Sequence, residues 1–201
     1  MRSIWLGGFG LVLASSAIWA QTAANPTGAA VAKLEAAPPD AAAAIAKLEA
    51  SVPPAKAADV HSIDAIMTAI YNVISGPAGT RDWNRFRSIM LPNARLTSSI
   101  VDEHGKHAVQ QWNVEEFIAE TQSVFATQPF YEEGLVNRVE RFGNMAQVFT
   151  SYASRSEPAG QPFQRGINSM QLMYDGKRWW VVSILWDIER PGNALPKAMQ
   201  R

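Results

Sequence analysis

The sequence predicts an α+β fold: a cone-shaped, curved antiparallel (mixed) sheet covered by three N-terminal helices. Two observations lead to this prediction. Apolar residues recur at helical spacing early in the chain, and four long runs with strand character follow one another towards its end. Helices that gather before an antiparallel sheet are typical of the α+β class, because they pack together against the sheet. The chain has 201 residues, enough for one ordinary domain with appendages.

Three helices are predicted, and each is preceded by a residue whose side chain can cap the free backbone N–H groups. They begin after Ser62, Asp82 and Asn113. Glu116 follows Asn113 by three residues, which is the spacing of a capping box. A run of Gly, Pro, Ala and Gly ends the first helix, and Pro92 ends the second.

Strands are predicted where the apolar period changes. ARLTSSIVD and KHAVQQW flank a turn signal and are predicted to form a β-hairpin between the second and third helices. Four longer runs follow Pro129. They are YEEGLVNRVERF, MAQVFTSYASRS, QRGINSMQLMY and RWWVVSILWDIE. Asp175-Gly176 separates the last two and is a strong hairpin signal.

The last run is predicted to be the final, central strand of the sheet. Simple alternation places Trp180, Val182, Ile184, Trp186 and Ile188 on one face. The other face then carries Trp179, Val181, Ser183, Leu185 and Asp187. Both faces are largely apolar, which indicates a strand covered on both sides. Asp187 is the exception and therefore a candidate for function.

The first twenty residues have the layout of a secretory signal peptide: a positive start, an apolar run and small residues around Ala20. Residues 21–57 are rich in Ala and Pro and contain AKLEA twice, which indicates a flexible tether. The sequence is therefore divided into a signal peptide (1–20), a tether (21–57), a folded domain (58–196) and a C-terminal tail (197–201). The protein is expected to be exported, periplasmic or secreted, with no membrane attachment after cleavage.

Composition narrows the possible functions. The 18 Lys and Arg residues equal the 18 Asp and Glu residues, so nucleic-acid binding is not expected. The chain has no cysteine, which excludes disulfides and thiolate chemistry. Asp102, His104 and His107 flank the predicted hairpin turn and could ligate a metal. A polar hairpin tip explains these three residues better, so no metal and no cofactor is predicted.

Three stretches resemble the nuclear transport factor 2-like superfamily, which includes SnoaL-like polyketide cyclases and ketosteroid-isomerase-like proteins. They are IDAIMTAIYNVISG, the segment from Asp82-Trp83 to Phe86 that leads into LPNARL, and YDGKRWWVVSILWD. More narrowly, RVERFGNMAQVF, RGINSMQL and WDIERPGN resemble a subgroup of exported proteins without assigned activity. The resemblance covers about residues 59–196 and implies the fold. It implies no single function, because this fold hosts several enzyme classes and non-catalytic binders.

The resemblance implies a carboxylate base on the strand after LPNARL, where steroid-isomerase-like members carry it. Thr97, Ser98 and Ser99 occupy that place here, and none of them can act as a proton base at neutral pH. Tyr71 matches the first-helix tyrosine of such enzymes only with a shift of one residue. The catalytic candidates are Asp187, Tyr71 and Tyr152.

An apolar cavity with a few polar groups is the usual form of a small-molecule site. The residues expected to bind a ligand are Trp83, Phe86, Phe117, Tyr152, Asn168 and Asp187. Core packing is the competing explanation for the aromatic members of this set. The leading hypothesis is an exported, non-catalytic domain that binds a small apolar molecule. The alternatives are a SnoaL-like isomerase, dehydratase or cyclase with an acid–base pair, and an interaction module that forms a homodimer through its sheet.

Overall fold

The computed structural model describes residues 30–33, 36–37 and 39–200, so the predicted signal peptide lies outside the described residues. The helices are α1 (Ala41–Ala50), α2 (Ala57–Val60), α3 (Ile63–Ile74), α4 (Trp83–Ile89) and α5 (Val114–Thr127). The strands are β1 (Met90–Val101), β2 (His107–Trp112), β3 (Tyr131–Phe142), β4 (Met145–Arg155), β5 (Gln164–Tyr174) and β6 (Trp179–Ile188). A 3-10 turn, Lys197–Met199, follows β6.

The six described strands form one mixed sheet in the order β2-β1-β6-β5-β4-β3. Neighbouring strands run antiparallel except β1 and β6, which are parallel. The last strand therefore lies inside the sheet, as the sequence predicts, and the α+β class is confirmed. Because β6 is the last strand in the chain and pairs with both β1 and β5, the sheet against which the helices pack is complete only after β6 has joined it.

The three predicted helices form, and their caps are observed. Ser62 Oγ accepts a hydrogen bond from the Ala65 N–H at 3.1 Å. Asp82 caps α4 in the same way. Asn113 and Glu116 bond each other's backbone N–H groups at 2.9 and 2.7 Å, so the capping box is confirmed. Because these bonds satisfy N–H groups that a helix leaves free, they fix where each helix begins.

Strand β6 does not follow the simple alternation that the sequence predicts. Leu172 of β5 pairs with Val181, whereas the preceding Gln171 pairs with Ser183, so Val182 is an extra residue in the ladder. Such a bulge shifts the alternation by one residue. Val181 and Ile184 consequently both face the helices and belong to the core, together with Trp179. The predicted faces are therefore wrong for the first half of β6.

The chain on either side of the predicted 58–196 domain also takes part in the structure. Ala42–Arg201 form one compact unit. Glu49 of α1 pairs with Lys177 in the β5–β6 turn at 3.3 Å. Near the C-terminal end, Leu195 and Met199 are buried. Burying Leu195 and Met199 removes apolar surface from water and so stabilises the segment after β6.

Among the described helices, none is both long enough and apolar enough to cross a membrane.

Gly166 is expected to tolerate no side chain. An added Cβ would lie 2.4 Å from the Asp187 carbonyl oxygen and 2.6 Å from the Tyr152 hydroxyl oxygen. We expect Gly166→Ala to lower the free energy of unfolding by about 1–3 kcal/mol, measured by urea denaturation, since the backbone of β6 must move. Gly76→Ala is the control, because its Cβ would meet Arg81 at an ordinary 3.4 Å. Equal stability of the Gly166→Ala variant and the parent would contradict the close approach.

Candidate functional site

A cavity of about 250 Å³ lies between helices α3, α4 and α5 and the helix-facing side of the sheet. Aliphatic side chains from both layers form part of its lining. Four phenylalanines and one tryptophan also border it: Phe86, Phe117, Phe125, Phe130 and Trp186. The polar residues at its border include Glu132, Tyr152, Ser154, Gln164 and Asn168. An apolar chamber with a small group of polar side chains is the form expected of a small-molecule site.

The aromatic side chains hold one another in place. Phe125 and Phe130 stack with their ring centroids 5.0 Å apart, and Phe86 stacks on Phe117 at 5.6 Å. Trp186 meets Phe117 edge to face. Offset stacking and edge-to-face contacts are the favoured arrangements of aromatic rings. The rings therefore form an apolar wall drawn from α4, α5, the residue just before β3 and the end of β6.

Glu132 is the acidic residue at the cavity, and it is not among the site residues predicted from the sequence. Ser75 at the end of α3 fixes its backbone by accepting from the Glu132 N–H at 2.9 Å. The half-buried side chain accepts a hydrogen bond from Ser154 Oγ at 2.7 Å. Withdrawal of water raises the pKa of Glu132 to about 7, although the Ser154 hydrogen bond acts in the opposite direction. The carboxyl can therefore both donate and accept a proton at neutral pH.

Tyr152 presents a hydroxyl to the same cavity. Its ring is buried on β4, and Gln164 Nε2 donates to its oxygen at 3.2 Å. Burial raises the pKa of Tyr152 and the nearby Glu132 carboxylate raises it further, so the hydroxyl stays protonated. Since its oxygen is the acceptor towards Gln164, the O–H proton is available to a ligand.

Asn168 and Tyr71 form a hydrogen-bonded chain at the border of the cavity. Asn168 Nδ2 donates to the Tyr71 hydroxyl at 3.3 Å, and that hydroxyl lies 3.2 Å from Thr150 Oγ1. All three side chains are buried. Burial raises the pKa of Tyr71 to about 12, so its hydroxyl remains neutral. The partner expected for a buried Asn168 is therefore Tyr71.

The structure brings together part of the site predicted from the sequence. Phe86, Phe117, Tyr152 and Asn168 border the cavity, and Tyr71 is reached through Asn168. Trp83 does not border it, since the ring packs between Phe86 and Phe125.

Asp187 lies on the opposite face of the sheet from the cavity. Its carboxylate pairs with Arg190 and accepts from Asn193 at 3.3 Å, and the Arg190 and Asn193 backbones also bond each other. The side chain is 37% exposed. Asp187 therefore organises the turn that follows β6 and is not the acid of this cavity.

Asp102 has a structural role in the turn of the β1–β2 hairpin. Its Oδ1 accepts from the backbone N–H groups of His104 and Lys106, both at 2.9 Å, as the first residue of a tight turn does. Within the described ranges, no cluster of three His, Asp or Glu residues is arranged to hold a metal ion.

No family model and no curated protein sequence matches the chain. Solved structures that it resembles include a Nostoc punctiforme protein of unknown function with a cystatin-like fold. That match has 8% identity and a TM-score of 0.49, and it covers 63% of this chain and 88% of the other. An NTF-2-like protein of unknown function from Silicibacter pomeroyi has 15% identity and a TM-score of 0.46, over 64% of this chain and 94% of the other.

An NTF2-like protein of unknown function from Shewanella baltica has 16% identity and a TM-score of 0.45, with 65% of this chain and 93% of the other covered. Two of these three descriptions name the superfamily that the sequence resembles. At this level of similarity they carry no argument about function, which must come from the residues of this chain.

The protonation of Glu132 makes the stability of the fold depend on pH. The unfolded chain releases this proton near pH 4.5, whereas the folded chain keeps it until about pH 7. Stability should therefore fall between these two values and stay lower above them. We expect Glu132→Gln to remove this loss, so that the variant is more stable than the parent by up to about 3 kcal/mol at pH 8 but not at pH 4.

Urea denaturation at both pH values measures the difference. Glu133→Gln is the matched control, because Glu133 pairs with Arg155 on the other face of the sheet. A Glu132→Gln variant that is less stable than the parent at pH 8 would show that the carboxyl is not held in a water-poor environment.

Proposed function

We propose that the protein binds a small, mostly apolar molecule in the cavity, with the single polar group of that molecule against Glu132 and Tyr152. The observation that carries this proposal is the position of one carboxyl, beside a few neutral polar side chains, at the border of a chamber walled mostly by aromatic and aliphatic side chains. Apolar walls favour the body of the ligand by removing it from water. The polar group fixes its orientation, because a buried donor or acceptor must find a partner.

Three features support this proposal over simple core packing. The cavity has a volume of about 250 Å³, whereas well-packed cores leave few voids larger than a water molecule. Ser154 Oγ makes the one hydrogen bond to the Glu132 carboxyl seen in the described part of the chain. The Tyr152 hydroxyl also retains a proton to donate. A fold optimised for stability alone would fill such a space with apolar atoms.

Acid–base catalysis is the second candidate function, and the raised pKa of Glu132 favours it. A general base works best when its pKa lies near the working pH, and burial is how proteins tune a glutamate to that value. The sequence alone favours a non-catalytic protein, because it shows no carboxylate base where steroid-isomerase-like proteins carry one. Glu132 supplies a base at a place where the sequence pattern gave no indication of one, and Tyr152 supplies a hydrogen-bond donor.

Export and self-association remain proposals of ours. The layout of residues 1–20 supports export, and the N-terminal sequence of protein recovered from the periplasm or medium would test it. On the face of the sheet away from the helices, Phe149 and Leu185 stay 39% and 49% exposed, which supports a homodimer through this face. A monomeric mass by light scattering at high concentration would count against the dimer.

Filling the cavity should weaken ligand binding. Thr121 on α5 is half-buried and borders the cavity, whereas Ser123 on the same helix is exposed. With the uncharged fluorescent probe N-phenyl-1-naphthylamine, we expect Thr121→Trp to raise the dissociation constant at least about tenfold, which equals 1.4 kcal/mol. Ser123→Trp, which adds the same indole outside the cavity, should bind like the parent. Equal binding by both variants would place the probe elsewhere.

A bound ketone should exchange protons if Glu132 is a catalytic base. We expect the protein to speed the exchange of the α-protons of 2-tetralone with deuterium oxide, followed by NMR. The rate should rise with an inflection near pH 7, because only the ionised carboxylate removes a proton. Glu132→Gln should lower the rate by about 100-fold or more, and Glu133→Gln should not. Binding without any exchange would leave the protein a binder rather than a catalyst.

A further inference from the structure

We propose that the ligand of the cavity is an apolar organic cation, a protonated amine whose ammonium group pairs with Glu132 while its hydrocarbon body lies among the aromatic side chains. This inference rests on the proposed binding function and adds the chemical class of the ligand. It does not depend on proton transfer by Glu132.

The charge of the lining is the first reason. Glu132 borders the cavity, and no Lys, Arg or His stands among the described residues that line it. A carboxylate or phosphate ligand would therefore meet a like charge and no cation. An ammonium group would meet an opposite charge where water is scarce, and charges interact most strongly in such surroundings.

The basic side chain that lies against Phe125, an aromatic residue of the lining, is already occupied. Arg81 stands over the ring of Phe125, with its guanidinium carbon 5.0 Å from the ring centroid. Its guanidinium donates to the carbonyl of Ile74 at the end of α3 and to three carbonyls of the following loop, those of Gly76, Pro77 and Gly79. Arg81 therefore holds this loop together, and no ion pair joins it to Glu132 in the described structure.

Burial in this part of the protein disfavours charge of either sign, so an ammonium ligand needs the Glu132 carboxylate as its partner. Loss of water raises the pKa values of Glu132, Tyr71 and Tyr152 together, and Glu132 adds further to the shift at Tyr152. All three changes oppose negative charge in this part of the protein. Loss of water also opposes a positive charge, but an ammonium group recovers part of that cost by pairing with the carboxylate.

The aromatic wall of the cavity can also contact an organic cation. The faces of aromatic rings attract cations, and organic ammonium ions are commonly recognised by aromatic side chains. Phe130 stands two residues before Glu132 on the chain, and both border the cavity. A ligand with an ammonium group at one end can therefore meet the carboxylate while its carbon skeleton contacts Phe125 and Trp186.

Three compounds that differ only in their end group test the inference: 3-phenylpropan-1-amine, 3-phenylpropan-1-ol and 3-phenylpropanoate. Titration calorimetry at pH 7 compares their binding to the parent protein. We expect the amine to bind at least tenfold more tightly than the alcohol, and the carboxylate to bind more weakly than both. In Glu132→Gln the amine should lose this advantage and bind within about twofold of the alcohol. Glu133→Gln, with the same change outside the cavity, should keep the parent's preference.

Proton release gives an independent readout. When the ammonium group binds, Glu132 must ionise fully, so about half a proton should leave per ligand at pH 7 because its pKa is about 7. Calorimetry in two buffers of different ionisation enthalpy measures this number. The alcohol should release none.

The failures of the two proposals are distinguishable. If the alcohol binds as tightly as the amine, or the amine does not bind while N-phenyl-1-naphthylamine still does, the inference is overturned and the binding function stands. If neither the naphthylamine probe nor any of the three compounds binds, the proposed function itself fails and the inference falls with it.

Discussion

The hydroxyl of Tyr71 is the constraint around which the rest of the structure is arranged. This hydroxyl is carried by α3 into the middle of the sheet, where burial without a partner would be costly. Thr150 of β4 and Asn168 of β5 supply the partners at 3.2 and 3.3 Å. These bonds fix α3 over one pair of strands, so the space towards β6 must be covered by other residues. The cavity lies between α3, α4 and α5, where these helices leave part of the sheet uncovered.

The two ends of the cavity have different physical origins. Its aromatic end is held by ring contacts between Phe86, Phe117 and Trp186, which belong to elements far apart in sequence. Its polar end belongs to neighbouring strands, since Glu132 of β3 pairs across the ladder with Ser154 of β4. The shape of the cavity therefore depends on tertiary packing, whereas the positions of its polar groups depend on strand register. Changes to one end need not disturb the other.

Local signals in the sequence were enough for the three helices that begin after Ser62, Asp82 and Asn113, and for the positions of the strands along the chain. Ser62, Asp82 and Asn113 each provide a helix start that depends only on residues three positions away. The faces of β6 could not be predicted, because the bulge at Val182 is a property of its pairing with β5. Glu132 was missed for a related reason. It stands beside Glu133, and alternation alone cannot say which of the two adjacent glutamates points towards the helices.

Two glycines of the sheet allow a prediction about the sequences of homologous proteins. Gly134 leaves room for the ring of Tyr71, and Gly166 leaves room for the hydroxyl of Tyr152. Each glycine and its tyrosine should therefore change together during evolution. In a homologous chain, a side chain at the position of Gly166 would indicate that the tyrosine of β4 had been replaced by something smaller. Such pairs allow relatives with this polar cluster to be distinguished from relatives that share the fold alone.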